Sequence, residues 1–330
     1  MTYFLAGDVG GTKTRLAIYD LEGQKAVQIA VKQYVSAQYS GLAAILSEFL
    51  SERPEKPTIG CVGVPGPVIK GEVKVTNLPW RLSEIALERD SGLKRLRLVN
   101  DLTATTAAVP YLTHKDLHTV KAGESPGLPA VSAVVAPGTG HGMGFLYQDA
   151  SISTILPSEG GHASFAPSNE EQQRLLSFLR DRNENSSHIS VEDILSGPGI
   201  RNLFDFVIYD RKTQIPAELT SAFSNGDDAA VIAARALDGS DPLCLKTLEL
   251  FVSILGSHSG NVAVTTMARG GVFLGGGIPP RILPLIDSDH FRKAFTDKGK
   301  MKNLVEGIPV YVIRDDYAAL VGASVLARRE

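Results

Sequence analysis

The chain has 330 residues, enough for two domains with well-buried cores; 43% are hydrophobic and 21% charged, as in ordinary soluble globular proteins. A formal net charge of −3, from 33 Lys and Arg against 36 Asp and Glu, offers no basic field for nucleic acid. The 2 cysteines, Cys61 and Cys244, lie in apolar stretches that suit buried free thiols and cannot supply a disulfide framework or a cysteine-rich zinc site. At the N-terminus a strand over 3–8 meets Asp8 with no basic segment ahead of it, unlike a secretory signal, and no apolar run approaches the roughly 18 residues of a membrane span. A cytoplasmic location without membrane or nucleic-acid partners is expected.

The predicted elements alternate. Strands are expected over 3–8, 14–20, 25–34, 58–64, 68–75 and 96–100, with helices over 40–52, 82–90 and 102–110, a pattern of α/β sheets. Pro110, His114, Gly123, Pro126, Gly127 and Pro129 mark a crossing between domains within 111–130. Beyond it come strands over 131–136, 143–148 and 151–156, then helical patterning from 169 to about 269. Within that stretch Leu248, Phe251, Leu255 and Val262 sit at helical spacing in a long core helix over Leu243–Met267. A strand at Gly271–Leu274 runs into Gly275-Gly276-Gly277, and Ile278-Pro279-Pro280 is expected to open a helix. A strand at Val310–Ile313 and a helix over Tyr317–Arg328 close the chain.

The first turn, Asp8-Val9-Gly10-Gly11-Thr12-Lys13-Thr14, joins two apolar runs and has the composition of a β-hairpin tip. Glycine lets backbone N–H groups approach an anion, Thr12 and Thr14 add hydroxyls, and a carboxylate beside a phosphate cradle makes sense if a cation sits between them. An ordinary Gly-rich turn explains the same heptapeptide. The device recurs, however: strand, Gly/Thr turn and strand follow again at Val134–Asp149, aligning Asp8 with Pro137, Gly11 with Gly140 and Asp20 with Asp149. Two related halves could face each other and clamp a polyphosphate in the cleft between them. Neither tip fits the dinucleotide or P-loop spacing.

Other segments carry candidate chemistry. Asn100-Asp101 ends a strand and opens a helix, where Asp101 is either a cap or a ligand group at the carboxyl end of a strand. Glu159-Gly160-Gly161-His162 presents an acid and a histidine that a turn does not require, and these suit hydrogen bonds to a polyol; a solvated loop is the alternative. Glu192, shortly before Ser196-Gly197-Pro198-Gly199, is a weaker candidate of the same kind. Gly275 and Gly276 could admit a flat nucleoside through backbone contacts, or merely pack a strand on a helix. His114 and His118 have i, i+4 spacing without the Glu or third ligand of a zinc motif, and His141 is expected at the second tip as a phosphate or solvent contact.

In this order the pieces resemble the bacterial glucokinase family of the hexokinase–actin–Hsp70 superfamily, and the likeness runs the length of the chain. Asp8-Val-Gly-Gly-Thr12 resembles its first phosphate motif, Pro137-Gly-Thr-Gly140 the second, Leu98-Val-Asn-Asp101 the catalytic segment, Glu159–His162 and Glu192–Gly199 the sugar motifs, and Gly271–Pro279 the adenosine motif. The neighbouring ROK kinases and repressors carry a cysteine-rich zinc motif that 2 isolated cysteines cannot match. The resemblance implies an actin-like, ribonuclease H-like fold of two domains with a cleft, the small one formed by 1–112 and 306–330 and the large one by 113–305. It implies transfer of the ATP γ-phosphoryl to the 6-hydroxyl of glucose, with Asp101 as base and Asn100, Asp101, Glu159, His162 and Glu192 on the sugar. Gly10, Gly11, Thr12, Gly138, Thr139, Gly140, Gly275 and Gly276 would hold ATP, and Asp8 would hold Mg²⁺ through water. A homodimer is the family expectation. Lys13 and His141 depart from the family pattern near the phosphate region. A kinase for another hexose or amino sugar, and a non-enzymatic sugar sensor, are the rival functions on the same fold.

Overall fold

The structure, a computed structural model, describes residues 3–22, 25–124, 127–183, 187–224 and 226–329; Pro126 of the expected crossing lies outside them. The chain divides into unit 1, Met1–Asp116 with Asp315–Glu330, and unit 2, Leu117–Arg314. Unit 1 begins with strands β1 (Phe4–Val9), β2 (Lys13–Glu22) and β3 (Lys25–Val35), helix α1 (Leu42–Ser51) and strand β4 (Ile59–Val64). A short hairpin, β5 (Glu72–Lys74) and β6 (Arg81–Ser83), then leads to α2 (Glu84–Ser91), β7 (Arg95–Asn100) and α3 (Asp101–Ala108). In unit 2 the strands β8 (Leu117–Lys121), β9 (Ala130–Pro137), β10 (His141–Gln148) and β11 (Ser153–Ser158) come first. Helices α4 (Glu170–Arg182), α5 (Gly197–Asp210), α6 (Ala217–Phe223), α7 (Asp228–Leu237) and the long α8 (Pro242–Thr266) follow. The unit ends with β12 (Gly271–Leu274), α9 (Leu283–Ile286), α10 (Asp289–Thr296), α11 (Lys302–Glu306) and β13 (Val310–Ile313), and α12 (Ala318–Ala327) returns to unit 1. Among the described residues no helix is long and apolar enough to cross a membrane.

The two units repeat one topology. In unit 1 the sheet order is β3-β2-β1-β4-β7, antiparallel through the hairpins and parallel from β1 to β4 to β7. Unit 2 has the order β11-β10-β9-β12-β13, with β8 added antiparallel at its edge. The central parallel strands β4 and β12 are buried on both faces and their sequences are correspondingly apolar: Ile59–Val64 and Gly271–Leu274 carry no charge. Separate cores fill each unit, one around Leu5, Leu16, Phe49 and Trp80, the other around Phe204, Phe251, Phe291 and Val310.

The second crossing lies at 314/315 and not at 305/306, because β13 is hydrogen-bonded between β12 and β8 and so belongs to unit 2. The first lies at 116/117, and part of the expected linker is itself the strand β8. This also removes the helical spacing of His114 and His118. Residues 113–116 form a turn, closed by Asp116 N–H on the Thr113 carbonyl at 2.9 Å, and His118 lies on β8 with its Nε2 3.2 Å from Asp287.

The tightest packing in unit 1 is between α12 and α3. A Cβ built at Gly322 would overlap the carbonyl oxygen of Ala104, so the helices approach at a distance only glycine permits. Gly322→Ala is therefore expected to destabilise the protein by about 3 kcal/mol, or to abolish soluble expression, because neither helix backbone can give way. Urea denaturation checks this; an unchanged midpoint would show that the contact can relax.

Candidate active site

In unit 1 the β1–β2 hairpin pairs Asp8 with Arg15 and Val9 with Thr14, leaving Gly10 to Lys13 to turn the chain. Gly10 donates its N–H to the Lys13 carbonyl at 2.8 Å, which closes the tip. The expectation that Gly10 offers its N–H to phosphate is thereby corrected: that donor is used inside the turn. Gly11 and Thr12 are exposed and donate no backbone hydrogen bond among the described residues. Thr14 is fully buried with its hydroxyl 3.0 Å from that of Ser36, so it is a core residue and not a phosphate donor. Ser36 also donates its hydroxyl to the Gly10 carbonyl at 2.8 Å and its N–H to the Thr12 carbonyl at 3.0 Å. Nothing in the sequence around Ser36 announces this. Pairing of Lys13 with Val35 on the neighbouring strand is what carries it to the tip.

Strand β4 lies between β1 and β7, pairing Gly63 with Asp8 on one side and Val64 with Asn100 on the other. The parallel arrangement therefore brings Asp8 and Asp101 to the same carboxyl-terminal end of the sheet, the end at which open α/β sheets bind ligands. Asn100 is the N-cap of α3: its Oδ1 accepts the Leu102 N–H at 3.0 Å, and its Nδ2 donates to the Gly66 carbonyl at 3.3 Å. Asp101 is the first residue of the helix, so Asn100 is the N-cap, and Asp101 Oδ1 shares the Leu102 N–H at 2.8 Å. Burial raises the pKa of Asp101 above its ordinary value, against the opposing pull of the Leu102 N–H. Burial, followed by the charge of Asp101, raises that of Asp8 to about 6, while Arg15 at 4.0 Å pulls it down. Arg15, which sequence reading did not single out, is itself held by the Asp316 carbonyl at 2.7 Å and by Gln33 at 3.1 Å.

In unit 2 the β9–β10 hairpin closes at the pair Pro137 and His141, one residue shorter than its counterpart. Gly138 N–H donates to the Gly140 carbonyl at 2.8 Å, so it too is used within the turn, and the N–H groups of Thr139 and Gly140 have no partner among the described residues. The glycine segment lies directly beside this tip: Gly275 N–H donates to Val135 at 2.9 Å and Ile278 N–H to Pro137 at 3.3 Å. Ile278-Pro279-Pro280 does not open a helix. Two consecutive prolines bias the residues before them away from helical geometry, so 278–282 make a turn and α9 begins at Leu283.

The two sugar-motif segments are brought together as a short antiparallel pair. Phe165 N–H donates to Ile189, Val191 N–H to Ala163 and Glu192 N–H to Gly161, at 2.8, 2.9 and 2.9 Å. Glu159 precedes a single 3-10 turn, Gly160–His162, which His162 ends, and both side chains are exposed. Glu192 is half-buried and accepts the His141 N–H at 2.7 Å. His141 does not face a phosphate or solvent: its side chain is buried, with Nδ1 2.9 Å from the Leu195 carbonyl oxygen and its ring edge-on to His258 at 5.1 Å. Burial pushes its pKa down to about 4, so the ring is neutral.

Comparison with known proteins accords with this arrangement. The profile of the glucokinase family matches residues 5–330. A glucokinase of Nostoc punctiforme is 36% identical over 347 residues, covering all of both chains, and one of Yersinia enterocolitica is 36% identical over 330 residues, covering 100% of this chain and 97% of the relative. Among solved structures, a glucokinase from an Antarctic psychrotroph superposes with a TM-score of 0.89 at 31% identity, covering 100% of each chain. A ROK-family glucokinase of Streptomyces griseus, solved with glucose and AMPPNP, matches with a TM-score of 0.63 at 18% identity over 99% of this chain and all of its own, a likeness of fold alone. The fold is the actin-like ATPase fold of these sugar kinases.

The strained carboxylate has a measurable consequence. With its folded-state pKa raised from 3.8 to about 6, Asp8 binds its proton more tightly in the folded chain, so its contribution to stability is most favourable below about pH 4 and is lost as the pH rises to 6. Asp8→Asn is expected to raise stability at pH 7.5 by about 1–2 kcal/mol, allowing for partial exposure, and to change it little at pH 4. Urea midpoints at the two pH values test this, and a loss of stability at pH 7.5 would refute it.

Proposed function

The chain belongs to the glucokinase family, and on that premise we propose that Asp101 is the general base of ATP-dependent glucose phosphorylation. The glucose 6-hydroxyl gives its proton to the Asp101 carboxylate as its oxygen bonds to the γ-phosphorus; the bond from that phosphorus to the β,γ-bridging oxygen breaks, and ADP leaves. The observation that carries this role is the place of Asp101 at the first turn of α3, at the carboxyl-terminal end of the sheet and next to the N-cap Asn100, with burial raising its pKa above the ordinary value. A base so tuned accepts a proton more readily than a solvated carboxylate. Phosphoryl transfer otherwise depends on positioning and on neutralising charge.

Asn100 keeps one amide hydrogen for the sugar, and Glu159, His162 and Glu192 orient the remaining hydroxyls, the last through the carboxylate oxygen not committed to His141. Gly11, Thr12, Thr139 and Gly140 provide unpaired N–H groups for phosphate, while Gly10 and Gly138 shape the tips. Gly275 and Gly276 stand beside the second tip for the adenosine. Mg²⁺ fits the residues present: no group of three His, Cys, Asp or Glu among the described residues could hold a metal alone, and a hard cation that keeps waters and substrate phosphates needs only one or two carboxylates. Asp8 would hold it through water, and the ion would neutralise charge on the phosphates. We further propose that the chain stands apart from the cysteine-rich ROK group, its 2 cysteines being buried and in no disulfide, and that it acts as a cytoplasmic homodimer.

Asp101→Asn should lower kcat by about 10²- to 10⁴-fold while glucose still binds in calorimetry; near-normal turnover would remove Asp101 as the base. Glu159→Gln should weaken glucose binding by about 1–3 kcal/mol with a smaller effect on kcat. A coupled assay of ADP release over a panel of hexoses measures both and fixes the sugar preference; an unchanged KM for glucose would count against Glu159.

A further inference from the structure

Residue 141 of unit 2 meets the sugar-motif segments through its backbone N–H, its carbonyl oxygen and its ring Nδ1. Its N–H donates to Glu192 Oε2 at 2.7 Å. Its carbonyl oxygen lies where a Cβ on Gly161 would be, so the sugar-motif turn rests on the hairpin with no side chain between them. Its ring nitrogen Nδ1 is 2.9 Å from the Leu195 carbonyl oxygen, and since a carbonyl only accepts, Nδ1 carries the proton. On either side of it the same segments meet the tip again. A Cβ on Gly140 would stand 2.5 Å from Glu192 Oε2, and Gly197 N–H donates to the Gly138 carbonyl at 2.8 Å. The phosphate tip Gly138–Gly140 and the carboxylate of Glu192 are thus parts of one hydrogen-bonded body, with His141 as its centre.

We propose that His141 is a positioning residue that couples glucose on Glu192 to nucleotide on the Gly138–Gly140 tip, so that each ligand tightens the binding of the other. This rests on the sugar role of Glu192 given above. One oxygen of that carboxylate holds the hairpin N–H, and the other is left for hydroxyls. Sugar bonded there adds a second restraint to a carboxylate already held by the hairpin N–H, and a carboxylate held at both oxygens holds more firmly the N–H that ends the tip. The ring's bond to Leu195 keeps the 192–197 segment in register with the hairpin. The imidazole is a costly choice for a buried position, since its Nε2 has no partner among the described residues and burial holds the ring neutral. An apolar side chain would fill the space without that cost but could not donate to Leu195.

Coupling between two ligands is reciprocal and is read as a ratio of dissociation constants. Calorimetry of the β,γ-imido analogue of ATP with and without saturating glucose should show about tenfold tighter binding with sugar in the wild type, and titration of glucose with and without the analogue should give the same factor. In His141→Leu the factor should fall below about twofold, and in His141→Asn, whose side-chain nitrogen can stand at the place of Nδ1, it should return. Should His141→Leu fail to fold, His141→Gln, with its amide displaced by one bond, should show the same loss. A purely structural role would lower the unfolding midpoint and leave the ratio intact. A factor of one in the wild type, or full coupling in His141→Leu or His141→Gln, overturns the proposal. Glu192→Gln separates the two levels: unchanged glucose affinity there defeats the sugar role of Glu192, whereas weakened affinity with full coupling in His141→Leu or His141→Gln defeats only the coupling.

Discussion

Parallel pairing of β1, β4 and β7 is the constraint on which the chemistry of unit 1 depends. Strands that run the same way end at the same edge, so Asp8 at the end of β1 and Asp101 just past β7 are delivered to one place with only β4 between them. The cost is visible in Asp8, whose charge is disfavoured first by burial and then by its neighbour. Arg15, 4.0 Å away and itself bonded to Asp316 and Gln33, relieves it in part. A fold under selection for stability alone would not leave two acids there. One that must accept a proton from a hydroxyl and hold charge near a phosphate gains from both.

The two units show how one topology is put to two uses. Each begins its sheet with a hairpin whose first glycine N–H closes the turn: Gly10 onto Lys13 in unit 1, Gly138 onto Gly140 in unit 2. The residues behind the tips differ. Unit 1 has Asp8 before its hairpin and Ser36 beneath it; unit 2 has Pro137 at the position aligned with Asp8 and no acid there, and its tip is braced by Glu192 and His141 instead. The closing residue of each hairpin, Thr14 in unit 1 and His141 in unit 2, is buried, but only His141 carries an imidazole there. The weak likeness between 5–20 and 134–149 therefore reflects a shared backbone and not a shared set of functional side chains.

This distinction also marks what sequence could reveal. The strands, the long helix α8 and the pairing of the hairpins follow from apolar runs and glycine turns, local signals that tertiary contacts reinforce. The family motifs located Asp101, Glu159, His162 and Glu192 in order, and the structure sets the last three on adjoining segments. Residues whose role depends on distant partners were not legible. Ser36 reaches the first tip only through the β2–β3 register, Arg15 is fixed by Asp316 from the far end of the chain, and β8 hides in a segment rich in proline and glycine. His141 was visible as a departure at a turn, but whether a turn residue points in or out depends on the length of the loop and on what packs behind it.

Glu192 gives that last point its functional weight. A carboxylate used only to hold hydroxyls needs two free oxygens, and this one has already given Oε2 to the hairpin N–H. Binding energy from the sugar that also orders the phosphate tip is energy applied to the reacting centre and not only to occupancy. On the coupling proposed above, the tip without sugar would have a less defined geometry, and ATP bound to it would be less well placed for attack by anything, water included. The glycines enforce the arrangement, because a side chain at Gly140 or Gly161 would separate the segments that must move as one. A kinase whose acceptor competes with water gains selectivity when the acceptor itself completes the nucleotide site, and the means proposed for it in unit 2 is the backbone N–H that the buried, neutral His141 donates to Glu192.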